Sequence, residues 1–440
     1  MIIKKIKTKP LLVTNKKPYY WSAGITLGAE VILVELETSD GIIGYGESIS
    51  TPDSYAIKAL IDKASEYLID ENVCDIQRLM KKCYFNMFQA QALCSAPRFG
   101  AQILTGLELA MWDALGKILD IPVHEILGGS LRPSIDYFGF IQGETPEELA
   151  NHAKIFASEG HKVIYGKVGR GEQIDKEIVK QVRNAVGPEI RLRFDPNEAW
   201  DPITANRMIG KLNQYDVEMI EQPCGHQNLK TLQQIRQLSP TSIAADQSIF
   251  NSVDVLNAVT LGAADLIVLG IHETGGILGF LKASAVAEAA GVNICIHGLH
   301  ETGITTCSAN QAGAIISNLD DGNQYMNHLL TNDIISNPDP QVLIAKKAKT
   351  LPVEIIIRQY ITGSLWREYS SGINGQYGFM LDEGFQENQK FDTPIITPST
   401  KADYGEHDQP ISRKKIITDL VPEEIYSKAE KYAIELFRIG

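Results

Sequence analysis

RLRFDPNEAW, residues 191–200, is a short apolar run that ends on an acid and breaks at a proline. It reads as a buried strand, Ile190–Asp195, that delivers Asp195 and Asn197 to the turn before a helical pattern. The same design recurs downstream. EMIEQP (218–223) ends a strand on Glu221, and IAADQS (243–248) ends another on Asp246. Around these three lie further apolar runs, alternating with amphipathic helices at a spacing of about 25 residues. The strands are predicted at Asp136–Ile141, Val163–Val168, Ile190–Asp195, Glu218–Glu221, Ile243–Asp246, Leu266–Leu269, Asn293–His297 and Tyr325–Leu329. Helices are predicted to start near Thr145, Glu172, Asp201, Leu229, Ser252, Ile277 and Ile304. Eight strands with intervening helices predict an α/β chain built on a parallel (β/α) TIM-like barrel over 126–338, with its chemistry at the C-terminal ends of the strands.

Three acids at adjacent strand ends converge, and unpaired they repel one another. A hard divalent cation resolves this, and all-oxygen ligands favour Mg²⁺ over zinc, so Asp195, Glu221 and Asp246 are the expected ligands. Asn197 and Gln247 flank them as outer support. The run ending Tyr165-Gly166-Lys167 aims Lys167 into the same mouth, opposite the metal ligands. There a lysine among cations and low-dielectric walls has a lowered pKa and acts as a base. The strand ending at His297 brings a second acid/base to the other face, and Glu301 beyond it is placed to hydrogen-bond an enolate oxygen or act as an acid.

Residues 1–125 read as an α+β domain: a hairpin of Glu30–Thr38 and Gly41–Gly46 around Ser39-Asp40-Gly41, then helices near Ser54–Leu68 and Thr105–Leu119. The net charge of −13 argues against nucleic acid and anionic membranes as partners. No apolar run reaches the roughly 18 to 20 residues of a membrane helix, and lysines interrupt the N-terminal MIIKKIKTKPLLV, so a cytoplasmic protein is expected; a homo-oligomer is expected separately. Six cysteines without a CxxC pair predict reduced thiols.

The DPNEAW, IEQP, ADQS, TGGI (274–277) and HGLHETGI segments resemble the enolase superfamily, in its mandelate racemase and muconate-lactonizing branch, over residues 1 to about 338. The resemblance implies that residues 1–125 cap the barrel, that loops near Lys16–Ser22 and Ser48–Ser54 read the distal end of a small carboxylate substrate, and that Mg²⁺ sits on Asp195, Glu221 and Asp246. It implies that Lys167 abstracts a proton alpha to the carboxylate, giving dehydration, epimerization or racemization through an enolate. Three positions depart from the pattern. Tyr165 stands at the first place of the K-x-K on strand two, Gly270 where strand six carries a lysine or an aspartate, and Gln247 where glutamate is common. A lysine–lysine mechanism is thereby put out of reach, and His297 is expected to lack its usual orienting partner, the strand-six aspartate.

Beyond Asn337-Pro338-Asp339-Pro340 the rhythm stops. LPVEIIIRQYITGSLW (351–366), PIITPSTKADYGEHD (394–408) and a closing helix resemble part of phosphoribosylaminoimidazole-succinocarboxamide synthase, the SAICAR synthetase of purine biosynthesis. The resemblance implies that Arg358 and Ser364 face a substrate phosphate across a gap. Residues 341–440 are thus expected to be a partial α+β segment, its apolar Val353–Ile357 strand short of neighbours. The alternatives to the Mg²⁺-dependent reading are an ATP-dependent ligase of that kind and a non-catalytic fusion. Against the ligase, no G-x-x-x-x-G-K phosphate loop is present.

Overall fold

The computed structural model describes residues 1–90, 97–298, 303–324, 351–401 and 408–439. The chain packs as two units, 1–345 and 346–440.

The first unit opens with an antiparallel meander of β1 (Ile3–Trp21), β2 (Gly24–Thr38) and β3 (Ile43–Ile49). Helices α1 (Ser54–Ser65), α2 (Ile76–Tyr84) and α3 (Pro97–Leu119) follow. The hairpin is longer than its apolar core suggests. β1 carries alternating lysines that mask it as a strand, and the stretch to Trp21, expected as loop, belongs to it. Strand β3 lies backbone-to-backbone on α3: a Cβ at Gly46 would sit 1.8 Å from the Gly106 carbonyl oxygen, so only glycine permits the approach. Ile32, Val34 and Leu36 fill the space against Ile61, Leu107 and Met111, all fully buried.

After the short α4 (Val123–Ile126) the strands and helices alternate: β4 (Gly139–Phe140), α5 (Pro146–Ser158), β5 (Val163–Lys167), α6 (Glu172–Val186), β6 (Arg191–Asp195), α7 (Pro202–Leu212), β7 (Val217–Glu221), α8 (Leu229–Leu238), β8 (Ser242–Ala245), α9 (Ser252–Leu261), β9 (Leu266–Gly270), α10 (Ile271–Thr274), α11 (Ile277–Ala289), β10 (Asn293–His297) and α12 (Ile304–Gly313). Local sequence sets the helix starts. Thr145 and Glu148 form a reciprocal capping box ahead of Pro146, and Asp201 accepts from the Ile203 and Thr204 amides ahead of Pro202. The strands form one parallel sheet in the order β4 to β10, each beside its sequence neighbour. β5 and β9 are buried along their whole length, as a sheet covered on both faces requires. Segment 318–324 closes the circle. The Asn323 carbonyl accepts from Phe138 N (3.0 Å) beside β4, while Gln324 N donates to Ile296 O (3.0 Å) in β10. The eighth strand expected at Tyr325–Leu329 lies outside the described residues. The five described cysteines are free.

The second unit holds β11 (Val353–Glu354), β12 (Ile357–Tyr360), α13 (Gly363–Ser370), β13 (Lys390–Ile396), β14 (Ser399–Thr400), α14 (Arg413–Asp419) and α15 (Glu423–Ile439). The single strand expected at Val353–Ile357 is two short ones, and both find partners: β11 pairs with β14 and β12 with β13. Val353 is buried against Ile411, Ile416, Val421 and Tyr426, so the expectation that this run lacks neighbours is corrected.

Candidate active site

The ends of β6, β7 and β8 bring Asp195, Glu221 and Asp246 into one cluster, each offering an oxygen within 4.8 Å of the others. All three are buried, at 0%, 2% and 1% exposure. Burial, then Asp195 and Asp246, raise the Glu221 pKa well above the usual range. Such crowding suits a hard cation, and the donor set is all carboxylate oxygen. Asn197 Oδ1 and Gln247 Oε1 are buried without a hydrogen-bond partner. The Asn197 amide donates to Asp195 Oδ1 (2.6 Å), at a residue with φ of 45°. The residues present therefore fit Mg²⁺.

Lys167 is not opposite this cluster but on it. Its Nζ donates to Asp195 Oδ2 and lies 3.2 Å from the Tyr165 hydroxyl. Burial on its own lowers the Lys167 pKa, but Asp195, Tyr19 and Glu221 outweigh it and the net direction is up, contrary to the lowered value expected. Tyr165, read from sequence only as a departure, touches two of the three carboxylates. Its hydroxyl contacts Asp195 Oδ2 (2.8 Å) and Glu221 Oε1 (3.1 Å). Its ring stacks on Phe138 at 4.4 Å, within an aromatic wall that includes Phe140 and Tyr19 from β1. Burial pushes the Tyr19 phenol up to about 12.

At the other end of the row, His297 Nδ1 lies 3.2 Å from Asp246 Oδ1 and 3.6 Å from Glu273 Oε2. Burial alone would lower the His297 pKa, but Asp246 and Glu273 outweigh it and raise it well above the usual value. The usual strand-six partner is absent, as expected, but two other carboxylates flank the ring. Gly270 offers no side chain, but the carboxylate three residues later reaches the ring. Glu301 lies outside the described residues. Gln222 was also passed over. Its side-chain oxygen accepts from the Asp246 amide (3.0 Å) and from the Ser248 amide (3.3 Å) and hydroxyl (3.1 Å), while its amide nitrogen donates to Cys224 O (3.0 Å). The signal was available, as a glutamine directly after Glu221 at a strand end, but its direction was not. A cavity of about 740 Å³ lies elsewhere, between α3 and α12 around Trp112, Lys117 and Cys307.

In the second unit Arg358 and Ser364 come together without the expected gap: Arg358 Nη2 donates to Ser364 Oγ at 2.9 Å, and its Nε to Thr397 Oγ1 at 2.9 Å.

The chain matches the family model for the mandelate racemase/muconate lactonizing enzyme N-terminal domain over 5–128 and the enolase C-terminal domain-like model over 148–343. Residues 5–343 belong to the mandelate racemase/muconate lactonizing family. A SAICAR synthetase model matches 308–440. The hydrophobic dipeptide epimerase of Enterococcus faecalis is 28% identical over 301 residues, covering 67% of this chain and 82% of the relative. Muconate cycloisomerase 1 of Pseudomonas putida is 28% identical over 342 residues, covering 75% and 88%. The solved structure of the E. faecalis dipeptide epimerase with Mg and L-Leu-L-Tyr matches with a TM-score of 0.67 and 27% identity, over 73% of this chain and 90% of that one. Members of this family that resemble the chain are epimerases, racemases and cycloisomerases, and the chain is an enzyme of the enolase superfamily. Among the described residues, no helix is long and apolar enough to cross a membrane.

Proposed function

We propose that the barrel removes the proton alpha to the carboxylate of a small hydroxy acid or related carboxylate and returns a proton to the opposite face, as a racemase or epimerase. Loss of a beta-hydroxyl from the same enolate, a dehydration, is the alternative outcome. The observation that carries this reading is the placement of Lys167 against Asp195 and of His297 against Asp246, two proton carriers at the two ends of one carboxylate row. The epimerases and racemases among the relatives support it. Gly270, where dipeptide-epimerizing members carry a lysine by the resemblance, makes the pair Lys–His rather than Lys–Lys.

Asp195, Glu221 and Asp246 are the residues that would hold Mg²⁺, which when bound supplies positive charge for the substrate carboxylate and the enolate oxygen. Lys167 Nζ exchanges the proton on one face, steadied by the Tyr165 hydroxyl at 3.2 Å. On the other face, Nδ1 of His297 is turned to carboxylates, which leaves Nε2 for the substrate. Tyr19, Phe138 and Phe140 wall the mouth and exclude water.

The test is alpha-proton exchange in D₂O with Mg²⁺ and a panel of 2-hydroxy acids and N-acyl amino acids. At least one compound is expected to incorporate deuterium. Lys167→Met should abolish exchange on one face while Mn²⁺ affinity, read by electron paramagnetic resonance, stays within about threefold. Full turnover in that variant removes Lys167 from the mechanism.

A further inference from the structure

The short helix α10 follows β9 without a linker and carries two groups the family reading leaves unassigned, His272 and Glu273. Both are buried, at 2% and 0% exposure. Glu273 joins two parts of the first unit. One carboxylate oxygen, Oε1, accepts from the Arg98 guanidinium at the start of α3, and the other, Oε2, lies 3.6 Å from His297 Nδ1. Arg98 is itself held, with its guanidinium 4.7 Å from the centre of the Phe250 ring. A second tie runs beside the first: the Thr105 hydroxyl of α3 donates to the His272 carbonyl at 3.0 Å. The His272 ring stands edge-on to that of His297, with centroids 5.3 Å apart.

His297 Nδ1 has a second neighbour in Asp246, but Asp246 is one of the three clustered carboxylates and Glu273 is not. Glu273 lies outside that trio, shared between Arg98, His272 and His297, and so can hold the imidazole while Asp246 faces the other two carboxylates. Gly270 explains how it arrives there. A Cβ on Gly270 would fall 2.6 Å from His272 Cε1 and 3.0 Å from Glu273 Oε2, so a side chain at the end of β9 and this turn exclude one another.

We propose that Glu273 is the positioning residue of His297, that Arg98 of helix α3 locks it, and that the relay Arg98–Glu273–His297 replaces the partner that Gly270 does not supply. The proposal rests on the reading of His297 as a proton carrier. Its consequence is that the N-terminal helix does more than cover the substrate: it sets which imidazole nitrogen faces the reacting carbon. At 3.6 Å the Glu273 carboxylate is an ion-pair neighbour of Nδ1; drawn in to hydrogen-bond distance it accepts the Nδ1 proton and fixes the tautomer and the ring plane, and a guanidinium on its far oxygen fixes the carboxylate in turn.

The test needs no substrate. Full-length protein labelled with ¹⁵N-histidine and saturated with Mg²⁺ is read by NMR, the His297 imidazole signals being assigned from their loss in His297→Asn. A downfield, slowly exchanging Nδ1 proton is expected in the native chain. It should move upfield or exchange out in Glu273→Gln and in Arg98→Met, and return in part in Arg98→Lys, with Mn²⁺ affinity within about threefold throughout. Arg98 is 33% exposed but its partner Glu273 is fully buried, so Arg98→Met leaves a buried carboxylate unpaired; Arg98→Lys, which keeps the charge, and Glu273→Gln, which removes it, separate loss of the lock from loss of the fold. Unchanged His297 signals in both Glu273→Gln and Arg98→Met overturn the proposal. A change in Glu273→Gln alone overturns the lock by α3. Failure of every compound in the D₂O panel would strike the proposed reaction and leave this result standing.

Discussion

Gly270 makes the strand-six end depend on what is missing there. Its φ of −96° is open to any residue, so substitution meets only the space occupied by His272 and Glu273. Gly270→Ala is expected to displace that turn and lower exchange on the His297 face by about tenfold or more, with the Lys167 face and Mn²⁺ affinity little changed. Equal loss on both faces would instead mean general collapse of the site. Gln222 acts on the metal side. Removing its side-chain oxygen in Gln222→Ala leaves the Asp246 amide and both Ser248 donors without it, which should weaken Mn²⁺ binding about 10- to 100-fold in a direct titration. Sequence marked Gly270 as a departure and left Gln222 unremarked, and in neither case could it say what the residue touches. A glycine at a strand end and a glutamine in a turn are common, and their meaning is a distance to another segment.

Among the elements, α3 carries the most. Besides Arg98 and Thr105 it supplies Glu108, whose carboxylate accepts from Ile277 N (3.0 Å) and Leu278 N (3.1 Å) at the start of α11 and from Trp112 Nε1 (2.8 Å). Glu47 of β3 does the same for α12, accepting from the Thr305 amide and hydroxyl at 3.2 Å each. Two acids of the meander-and-helix layer thus cap two barrel helices, where the helix dipole favours negative charge. Burial pushes the Glu108 pKa up to about 7 from 4.5, the three donors opposing it only in part. A carboxyl that binds its proton more tightly folded than unfolded stabilises fully below pH 4.5, and that contribution is lost as pH rises through about 7. The melting temperature of Glu108→Gln relative to the native chain should accordingly rise between pH 5 and pH 8, on the order of a few degrees. A pH-independent difference would refute the buried-acid account. In the second unit, Tyr426 is fully buried with its hydroxyl unpartnered. Tyr426→Phe should leave amide hydrogen exchange in α15 unchanged or slower, since about 1 kcal/mol or more of desolvation penalty is removed.

For the whole molecule, two units with separate cores predict two calorimetric transitions. Asp195, Glu221 and Asp246 all belong to unit 1–345. Mg²⁺ should therefore raise one transition only, by roughly 2.7 kcal/mol at a hundred times its dissociation constant, and a chelator should reverse it. Movement of both transitions with Mg²⁺ would count against a single metal site on those three carboxylates.

The sequence alone was enough for the order of strands and helices around the barrel and for the three acids at successive strand ends. Buried parallel strands are short apolar runs, helix starts are marked by caps such as Thr145 and Asp201, and an acid closing each run is visible one residue at a time. These are properties of a few consecutive residues. The tertiary structure decided everything that depends on two distant segments meeting. It seated Lys167 on the carboxylates instead of across from them and Tyr165 beside it, closed the sheet through 318–324, gave β11 and β12 partners within the second unit, and brought Glu273 beside His297 and Arg98 onto Glu273 from 175 residues away. Sequence spacing carries no distance across a closed sheet. Which side chains touch there is set by strand register and by the packing of α3 on the barrel, both of which follow from the burial of apolar surface on all sides at once.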